Sequence, residues 1–314
     1  MHLRIGTFNL NNLFSRWNFK GELAKDKSGR GWHLERRDGV RERRFQGQVI
    51  QPKPDAAVER IAERIKAAAP DILAVEEVED RDTLREFNDK HLGGAYSECI
   101  LVEGNDQRGI NVGLLSKLPI GQVESAQRLR HPELPHEPVF RRDLLLVEVL
   151  NAERTRRLLW VAVTHLKSQF VDWRVKGGAA KKSASRENGR VRRYEAETMA
   201  RVLRILVGAG EKLVVCGDFN DVPTSKALHP LLGADGKSLG LVNVLAAHQP
   251  DPQARWTITH KQSGEDRQFD QYDYLRVPPA MAKKVEKAWV ERRKTTPDEP
   301  DGSDHDPVFC ELAA

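Results

Sequence analysis

Apolar and polar residues alternate with a period of two along much of this chain, and a few helical stretches interrupt the alternation. This period predicts strands, because successive side chains of a strand point to opposite faces. Residues 3–10 alternate in this way, and the short apolar runs 72–75 and 213–216 are typical of strands buried on both faces. Further strands are predicted at 96–102, 110–116, 144–150, 158–164, 272–277, 288–291 and 308–312.

Helical periodicity occurs singly between the strands. A helix is predicted after Pro54, with Val58 and Ile61 on its apolar face, and it ends before Pro70. A short helix follows around 84–87, and another carries the apolar positions of 194–206. The strands outnumber the helices, and the helices occur one at a time between them. This pattern favours two packed sheets flanked by helices. We expect a single domain over residues 1–314.

The composition is that of a soluble protein with a heavily charged surface, since 39% of residues are hydrophobic and 31% are charged. No apolar run approaches the length that spans a bilayer, and residues 1–4 lead straight into a strand where a secretory signal would stand. We therefore expect a cytoplasmic protein that does not contact membranes. Cys99, Cys216 and Cys310 have no metal-like spacing, so they are interpreted as free thiols.

The positive charge is concentrated in two segments, although the whole chain has a formal net charge of only +5. Residues 15–53 contain eleven Lys/Arg against five Asp/Glu, and residues 172–193 contain eight against two. Neither segment has a clear period, so both are predicted to be basic loop insertions in the domain. Such blocks favour a polyanionic partner, above all nucleic acid, and the alternative is two solvated surface loops. Nothing in the sequence indicates a protein partner, and we expect a monomer.

Polar residues stand at the ends of several apolar runs. Asn9 closes the first predicted strand, Glu77 follows the run 72–75, and His165 follows the strand 158–164. The sequence Gly217-Asp218-Phe219-Asn220-Asp221 comes directly after another strand, and Ser303-Asp304-His305-Asp306-Pro307-Val308 opens the last one. Strands that each finish in a carboxylate, an amide or an imidazole predict one convergent hydrolytic site. Read one at a time, these residues would be explained as solvated strand ends or turn residues.

These five motifs resemble the endonuclease/exonuclease/phosphatase superfamily, which includes deoxyribonuclease I and the apurinic endonucleases. They occur in the order of that superfamily and cover nearly the whole chain. The resemblance implies an α/β fold of the deoxyribonuclease I type, a four-layer α/β sandwich in which two packed mixed β-sheets are flanked by helices. It also implies a Mg²⁺ (or Mn²⁺) cofactor.

The resemblance implies a role for each motif residue. Glu77 binds the metal, Asn9 supports that carboxylate, and Asp304 contributes to coordination. Strand alternation turns the neighbouring Glu76 to the opposite face. The catalytic residues are Asp218, which orients or deprotonates the attacking water, Asn220, which donates to a phosphate oxygen, Asp273, which orients the imidazole of His305, and His165, which acts beside them.

His165 separates two branches of the superfamily. The sequence Thr164-His165-Leu166-Lys167 resembles the deoxyribonuclease I, sphingomyelinase and inositol phosphatase group, so specialised abasic-site repair is disfavoured. Three residues are candidate contacts to the substrate phosphate, namely Lys167, Arg108 and Arg142. The two arginines are candidates because a guanidinium presents a fork of donors that fits phosphate oxygens, and Lys167 is a candidate because it lies two residues beyond His165. Surface arginines are the commoner explanation for Arg108 and Arg142.

The sequence thus predicts a metal-dependent phosphodiesterase, most simply a nuclease and DNA-binding endonuclease, with RNA as the other nucleic acid. One alternative is a phosphatase that acts on an inositol phosphate or a nucleotide, but the Gly-Asp-Phe-Asn motif is followed by Asp221-Val222-Pro223, which supplies no extra cation. Another is a nucleic-acid-binding protein that has lost catalysis, which the intact motifs disfavour.

Overall fold

The computed structural model describes residues 2–15, 18–20, 24–25, 32–33, 48–50, 52–106, 108–171, 175–233, 238–260, 267–292 and 301–313. The strands, in chain order, are β1 (His2–Leu13), β2 (Asn18–Lys20), β3 (Ala24–Lys25), β4 (Trp32–His33), β5 (Gln48–Ile50), β6 (Ile72–Val78), β7 (Glu98–Leu101), β8 (Asn111–Ser116), β9 (Ile120–Ser125), β10 (Leu144–Leu150), β11 (Arg157–His165), β12 (Leu213–Asp218), β13 (Val242–Asn243), β14 (Ile258–His260), β15 (Gln268–Asp270), β16 (Asp273–Val277), β17 (Val285–Val290) and β18 (Val308–Ala313). The helices are α1 (Asp55–Ala68), α2 (Arg81–His91), α3 (Gly178–Gly208), α4 (His229–Leu232), α5 (Val244–His248) and α6 (Pro279–Ala282), with a 3₁₀ turn at Pro252–Arg255.

Two six-stranded mixed sheets form the centre of the molecule. The first has the strand order β17-β18-β1-β6-β8-β7, and the second has the order β13-β16-β12-β11-β10-β9. The facing sides of the two sheets share one apolar core, which includes Ile72, Val112, Val161 and Val214. The central strands β8, β11 and β12 are buried at nearly every position, so both of their faces are covered.

Helices cover the outer face of each sheet. On the first sheet, α1 and α2 pack through Ile61, Ile65 and Phe87 onto Leu73 and Phe309. On the second sheet, α3 packs through its own apolar residues, and the three residues Met199, Leu203 and Val215 lie in this outer core. The order helix, sheet, sheet, helix makes the four-layer α/β sandwich that was predicted.

The carboxyl ends of the central strands lie together at one edge of the sandwich. β1 runs parallel to β6, and β11 runs parallel to β12, so all four strands end at this edge. β16 and β18 run antiparallel to their neighbours, so they begin where the others end. The topology therefore gathers the ends of four strands and the starts of two, which is where the polar motifs stand.

The basic segment 172–193 is mostly helical, so its prediction as a loop was wrong from Gly178 onward. α3 starts at Gly178, and its first three turns project beyond the core with exposed side chains. A helix that projects into solvent buries no apolar face, so it shows no period of 3.6 in the sequence. Its local composition, rich in Ala, Lys and Arg, was the available signal.

The other basic segment, 15–53, is described only in part. Within it, β2 pairs with β5 and β3 pairs with β4, both antiparallel, so it contains short strands where a loop was predicted. Residues 16–17, 21–23, 26–31, 34–47 and 51, with most of the predicted basic side chains, lie outside the described residues. Every helix in the described part of the chain is too short or too polar to cross a membrane.

Candidate active site

One carboxylate oxygen, Oδ2 of Asp218, lies at the centre of the polar residues predicted at the strand ends. It accepts hydrogen bonds from Asn9 Nδ2 at 3.1 Å and from Asn220 Nδ2 at 3.2 Å. The same oxygen lies 3.4 Å from His165 Nε2 and 3.8 Å from His305 Nε2. The other oxygen, Oδ1, accepts from the backbone N–H of Asn220 at 2.8 Å. Two amides and two imidazoles from four chain segments therefore converge on one buried carboxylate.

A glycine allows β12 to bring Asp218 beside His165. The two residues are register partners in the parallel pair β11–β12. At the preceding position Gly217 has a φ of +130°, and a Cβ added there would lie 1.9 Å from the carbonyl oxygen of Thr164. Neither the backbone angle nor the space admits a side chain, so Gly217 is a requirement of the site.

Glu77 reaches this site through a β-bulge. It has a φ of +61°, and the register of β6 shifts on both sides at this residue. Its Oε2 accepts the backbone N–H of Asn12 at 3.0 Å, and its Oε1 lies 4.0 Å from His165 Nε2. Of the seven described non-glycine residues with positive φ, four belong to this region, namely Asn11, Asn12, Glu77 and Asn220. Backbone strain is thus concentrated at the strand ends, as is common for functional sites.

The structure brings His305 to Asp273, the carboxylate expected to orient it. His305 Nδ1 lies 2.8 Å from Asp273 Oδ2, and both side chains are buried. Burial alone would lower the pKa of His305, but Asp273 and Asp218 raise it well above the ordinary range. Burial raises the pKa of Asp218, while His305 opposes that shift. The imidazole is therefore fixed between two acids, with Nδ1 on Asp273 and Nε2 toward Asp218.

His165 has the opposite electrostatic character. Burial, and then the charges of Arg142 and Arg108, lower its pKa well below the ordinary range, so this imidazole is neutral. Its Nδ1 is buried and has no hydrogen-bond partner among the described residues. Because its Nε2 faces the carboxylates of Asp218 and Glu77, the single proton belongs on Nε2. The site thus holds one neutral histidine and one whose charged form is stabilised.

Glu76 lies beneath the site rather than on a remote face. Strand alternation turns it away from Glu77, as predicted, but that direction leads into the space between the two sheets. Its Oε1 accepts a hydrogen bond from Thr7 Oγ1 at 2.8 Å, and its buried Oε2 has no hydrogen-bond partner in the described part of the chain. Burial, and then the charge of Asp273, raise its pKa well above the ordinary range. Glu76 is therefore a neutral acid under the charged cluster.

The three cations predicted to contact a phosphate lie beside His165. Arg142 Nε is 2.8 Å and Arg108 Nε is 3.2 Å from the carboxylate of Asp106. Arg142 NH1 donates to the carbonyl of Leu166 at 3.1 Å, which places it next to Lys167. Arg142 is buried, whereas the side chain of Arg108 is 43% exposed.

The last motif divides between two environments. Asp304 is exposed next to His305, at the mouth of the site. Asp306 is fully buried and binds Arg64 of α1, with 2.8 Å between its Oδ1 and Arg64 NH2. Arg64 also lies 2.9 Å from Asp301 and 2.7 Å from Glu291. The second aspartate of the motif thus fastens the segment that carries His305.

The donor set fits a hard divalent cation. The predicted ligands Glu77, Asn9 and Asp304 offer carboxylate and amide oxygens, which are the ligands that Mg²⁺ and Mn²⁺ take. In the described part of the chain, the ligand atoms of Asp218, Asp273 and His305 all lie within 4.8 Å of one another. Oδ1 of Asp273 is buried without a hydrogen-bond partner among the described residues, so it keeps a free acceptor.

Sequence reasoning missed two residues of the site, Asp106 and Glu195. Asp106 lies in a loop without a motif, and its role appears only because residues 104–106 pack against 140–142. Glu195 is buried in α3, where its carboxylate accepts the backbone N–H of Lys167 at 2.6 Å and that of Arg141 at 3.2 Å. For Glu195, the available indication was its place as an acid on the buried face of a predicted helix.

Comparisons with solved structures support the fold. A truncated TDP2 from Caenorhabditis elegans superposes with a TM-score of 0.61 at 16% identity, over the whole of this chain and 98% of that one. The 3′ phosphatase NExo from Neisseria, bound to a product DNA hairpin, gives 0.57 at 16% identity over 99% of this chain and 100% of that one. The human Nocturnin catalytic domain, with a bound sulfate, gives 0.57 at 16% identity over 99% and 94%.

Sequence comparison supplies the family. No curated protein matches the chain in sequence. The sequence model of the "Endonuclease/Exonuclease/phosphatase family" matches residues 6–305, a span that contains all the residues predicted to be catalytic, to bind the metal or to contact the phosphate. Members of this family are hydrolases that act on phosphoester bonds, and they generally depend on a divalent metal. This protein belongs to the endonuclease/exonuclease/phosphatase family.

Proposed function

We propose that this protein is a divalent-metal-dependent phosphodiesterase that cleaves nucleic acid. The observation that carries the proposal is the convergence of Asn9, Asn220, His165 and His305 on one oxygen of Asp218. Hydrogen-bond donors held rigidly around a buried carboxylate can orient a water molecule and stabilise charge on phosphate oxygens at the same time.

Each residue has a role that follows from its geometry. Asp218 accepts a proton from the attacking water and orients it. Asn220 and the neutral His165 donate hydrogen bonds to the phosphate oxygens, and Asp273 holds His305 so that its Nε2 faces the same centre. Glu77, with Asn9 and Asp304, would hold the metal. A bound divalent metal neutralises the charge that develops on the phosphate and lowers the pKa of water.

Nucleic acid is supported by the projecting half of α3. The exposed turns carry Lys181, Lys182, Arg186 and Arg190, against the single acid Glu187. Lys182, Arg186 and Arg190 are spaced four residues apart, so they form one row along the helix. The row ends close to the site, because Arg192 and Glu195, on the next turn of α3, bind Asp221 and the backbone N–H of Lys167. Binding through such a row should weaken steeply as salt increases.

The cations beside His165 support one alternative. Arg108, Arg142 and Lys167 would also suit a phosphatase whose scissile group is a phosphomonoester, because a monoester carries more negative charge than a diester. The two functions differ in their substrates, so parallel assays with a nucleic acid and with nucleoside or inositol monophosphates distinguish them.

The test is the nicking of supercoiled plasmid DNA in Mg²⁺ or Mn²⁺, with EDTA as the metal-free control. Glu77→Gln, Asp218→Ala and His305→Ala should each lower the rate by roughly a hundredfold to ten-thousandfold, with an unchanged circular dichroism spectrum. His91→Ala is the matched control, because His91 lies on α2, where it pairs with Glu59 away from the site. RNA of matching sequence is tested in parallel. Metal-dependent cleavage that survives in any of the three variants would remove the role proposed for that residue.

A further inference from the structure

A rigid pocket of cations lies next to the site but outside the residues that surround Asp218. It is built where three loops meet, namely 102–110 between β7 and β8, 140–143 before β10, and 166–168 after β11. Asn105 N donates to the carbonyl of Arg141 at 2.9 Å, and a Cβ on Gly104 would lie 1.8 Å from the carbonyl oxygen of Arg142. The first two loops are therefore in backbone contact, which fixes the side chains that they present.

Each cation of the pocket is held in place by the surrounding structure. The carboxylate of Asp106 binds both Arg108 and Arg142. Burial would raise the pKa of Asp106, but the charges of these two arginines keep it below the ordinary range. Glu195 of α3 accepts the backbone N–H of Lys167 at 2.6 Å. The geometry is thus set before any ligand arrives, which reduces the entropy lost on binding.

The charges of the pocket do not balance. Three cations, Arg108, Arg142 and Lys167, face two carboxylates, Asp106 and the buried Glu195 beside Lys167, so the cluster keeps an excess of positive charge. Arg142 is 2% exposed and forms the base, whereas Arg108 is 43% exposed and Lys167 is half-buried. The open side of the pocket therefore presents one guanidinium and one ammonium toward solvent beside His165.

We propose that this pocket binds a terminal phosphomonoester of the substrate, next to the phosphodiester that is cleaved at Asp218. A terminal phosphate carries nearly two negative charges at neutral pH, so the guanidinium of Arg108 and the ammonium of Lys167 on the open side attract it more strongly than an internal diester with one. A planar guanidinium and a lysine are the side chains that bind phosphate oxygens in proteins. The inference rests on the proposed function and deepens it, because it makes the protein selective for phosphorylated chain ends.

The experiment compares one oligonucleotide, as DNA and as RNA, in three forms that carry an internal fluorophore. One form has hydroxyl groups at both ends, one has a 5′-phosphate and one has a 3′-phosphate. The kcat/KM of each is measured with Mg²⁺ or Mn²⁺, and the affinity of each is measured by fluorescence anisotropy in EDTA. We expect one phosphorylated form to exceed the hydroxyl form by about tenfold in both quantities.

Two variants and one control assign that preference to the pocket. Arg108→Gln and Lys167→Met should each bring the ratio between the phosphorylated and hydroxyl forms toward one. Arg154→Gln should retain the ratio, because Arg154 is an exposed arginine in the turn between β10 and β11, at the other end of the sheet.

Three results separate the pocket from the proposed function. Equal values for all three forms in the unmodified protein would overturn the pocket. Variants that lower every form by the same factor would also overturn it, because the cations would then hold the cleaved phosphate itself. A protein that cleaves no form, yet binds one phosphorylated form more tightly through Arg108 and Lys167, would support the pocket and refute the phosphodiesterase.

Discussion

Two charge clusters in this protein have opposite compositions. In the first, Arg64 receives three carboxylates, those of Glu291, Asp301 and Asp306, and its own side chain is fully buried. In the second, Asp106 stands among three cations and part of the cluster is exposed. The first lies inside the helix layer, where the guanidinium of Arg64 also covers the ring of Phe8 at 5.1 Å. The second lies at the mouth of the site.

This difference distinguishes charged residues that stabilise the fold from charged residues that bind a ligand. A buried ion has to be balanced by its neighbours, because no solvent compensates for it. In the Arg64 cluster each carboxylate lies within ion-pair distance of a fully buried guanidinium, and these contacts fix the segment that carries His305. The Asp106 cluster has an excess of positive charge at an open face, where an anion from solution can complete it. Full burial among ion-pair partners indicates a structural role, and cations that face solvent together indicate a ligand.

The largest effect is expected when the buried Arg64 cluster is broken. Arg64→Met leaves the carboxylates of Glu291, Asp301 and Asp306 without their shared partner, so the free energy of unfolding should fall by about 3–5 kcal/mol. Urea denaturation measures the change. Lys90→Met, which removes an exposed pair with Glu86 on α2, should leave the midpoint nearly unchanged. A fall below about 1 kcal/mol for Arg64→Met would contradict the structural role of this cluster.

A smaller loss is expected from the base of the cationic pocket. Arg142→Met removes the ion pair with Asp106 and the hydrogen bond to Leu166, but Asp106 keeps Arg108 as a partner. The free energy of unfolding should therefore fall by only about 1–3 kcal/mol. The same urea titration provides the comparison, and a loss as large as that of Arg64→Met would show that the two clusters do not differ in kind.

Added phosphate should stabilise one cluster and not the other. A ligand that binds only the folded state raises the free energy of unfolding, by about 1.4 kcal/mol at ten times its Kd. Thermal unfolding in EDTA, with inorganic phosphate against chloride at matched ionic strength, should show this gain for the unmodified protein. Arg108→Gln should lose it, and Arg154→Gln should keep it. Equal stabilisation of all three proteins would indicate a nonspecific effect of the salt.

The smallest expected effect is a pH dependence confined to the pocket. Burial, and then the charge of Arg142, lower the pKa of Lys167 from 10.5 to about 8. Between about pH 8 and pH 10.5, the side chain of Lys167 has lost its proton in the folded protein but keeps it in the unfolded chain. The unfolded state then binds more protons, so the free energy of unfolding rises with pH in this window.

Affinity for phosphate should change in the opposite direction. As pH rises through about 8 the ammonium of Lys167 loses its charge, so binding of phosphate weakens while the protein itself gains stability. The measurement is the difference between the unmodified protein and Lys167→Met at pH 7.5 and pH 9.5, for both quantities. Two proteins with parallel pH profiles would show that Lys167 does not titrate in this range.

The central strands and the residues at their ends were predictable from the sequence. Alternation marked β1, β10 and β11, and the polar residues that end the strands stand next to them in the chain. Because parallel strands end at one edge, adjacency in sequence translates into adjacency in space. The pairing of Asp273 with His305 followed from the family resemblance, and the two side chains are in contact in the structure.

The remaining features depend on contacts that no local pattern records. The bulge at Glu77 exists only because β6 changes register against both neighbours. β9 was not predicted, because Ile120 is its one buried residue and the rest of this edge strand is exposed. The first turns of α3 lack an apolar face, and Asp106 meets Arg142 only after the sheet has formed. Sequence periodicity detects burial, so elements and clusters outside the core escape it.

The order in which the chain is made bears on when its chemistry becomes possible. Ser303 Oγ donates to the carbonyl of Asn9 at 2.7 Å, although the two residues are 294 positions apart, and β18 pairs with β1 along its length. A growing chain contains Asn9, Glu77, His165 and Asp218 well before it contains His305. Closing so long a loop is among the slow steps of folding. The proposed hydrolysis therefore cannot begin in the nascent protein, and it starts only when the final strand joins the sheet.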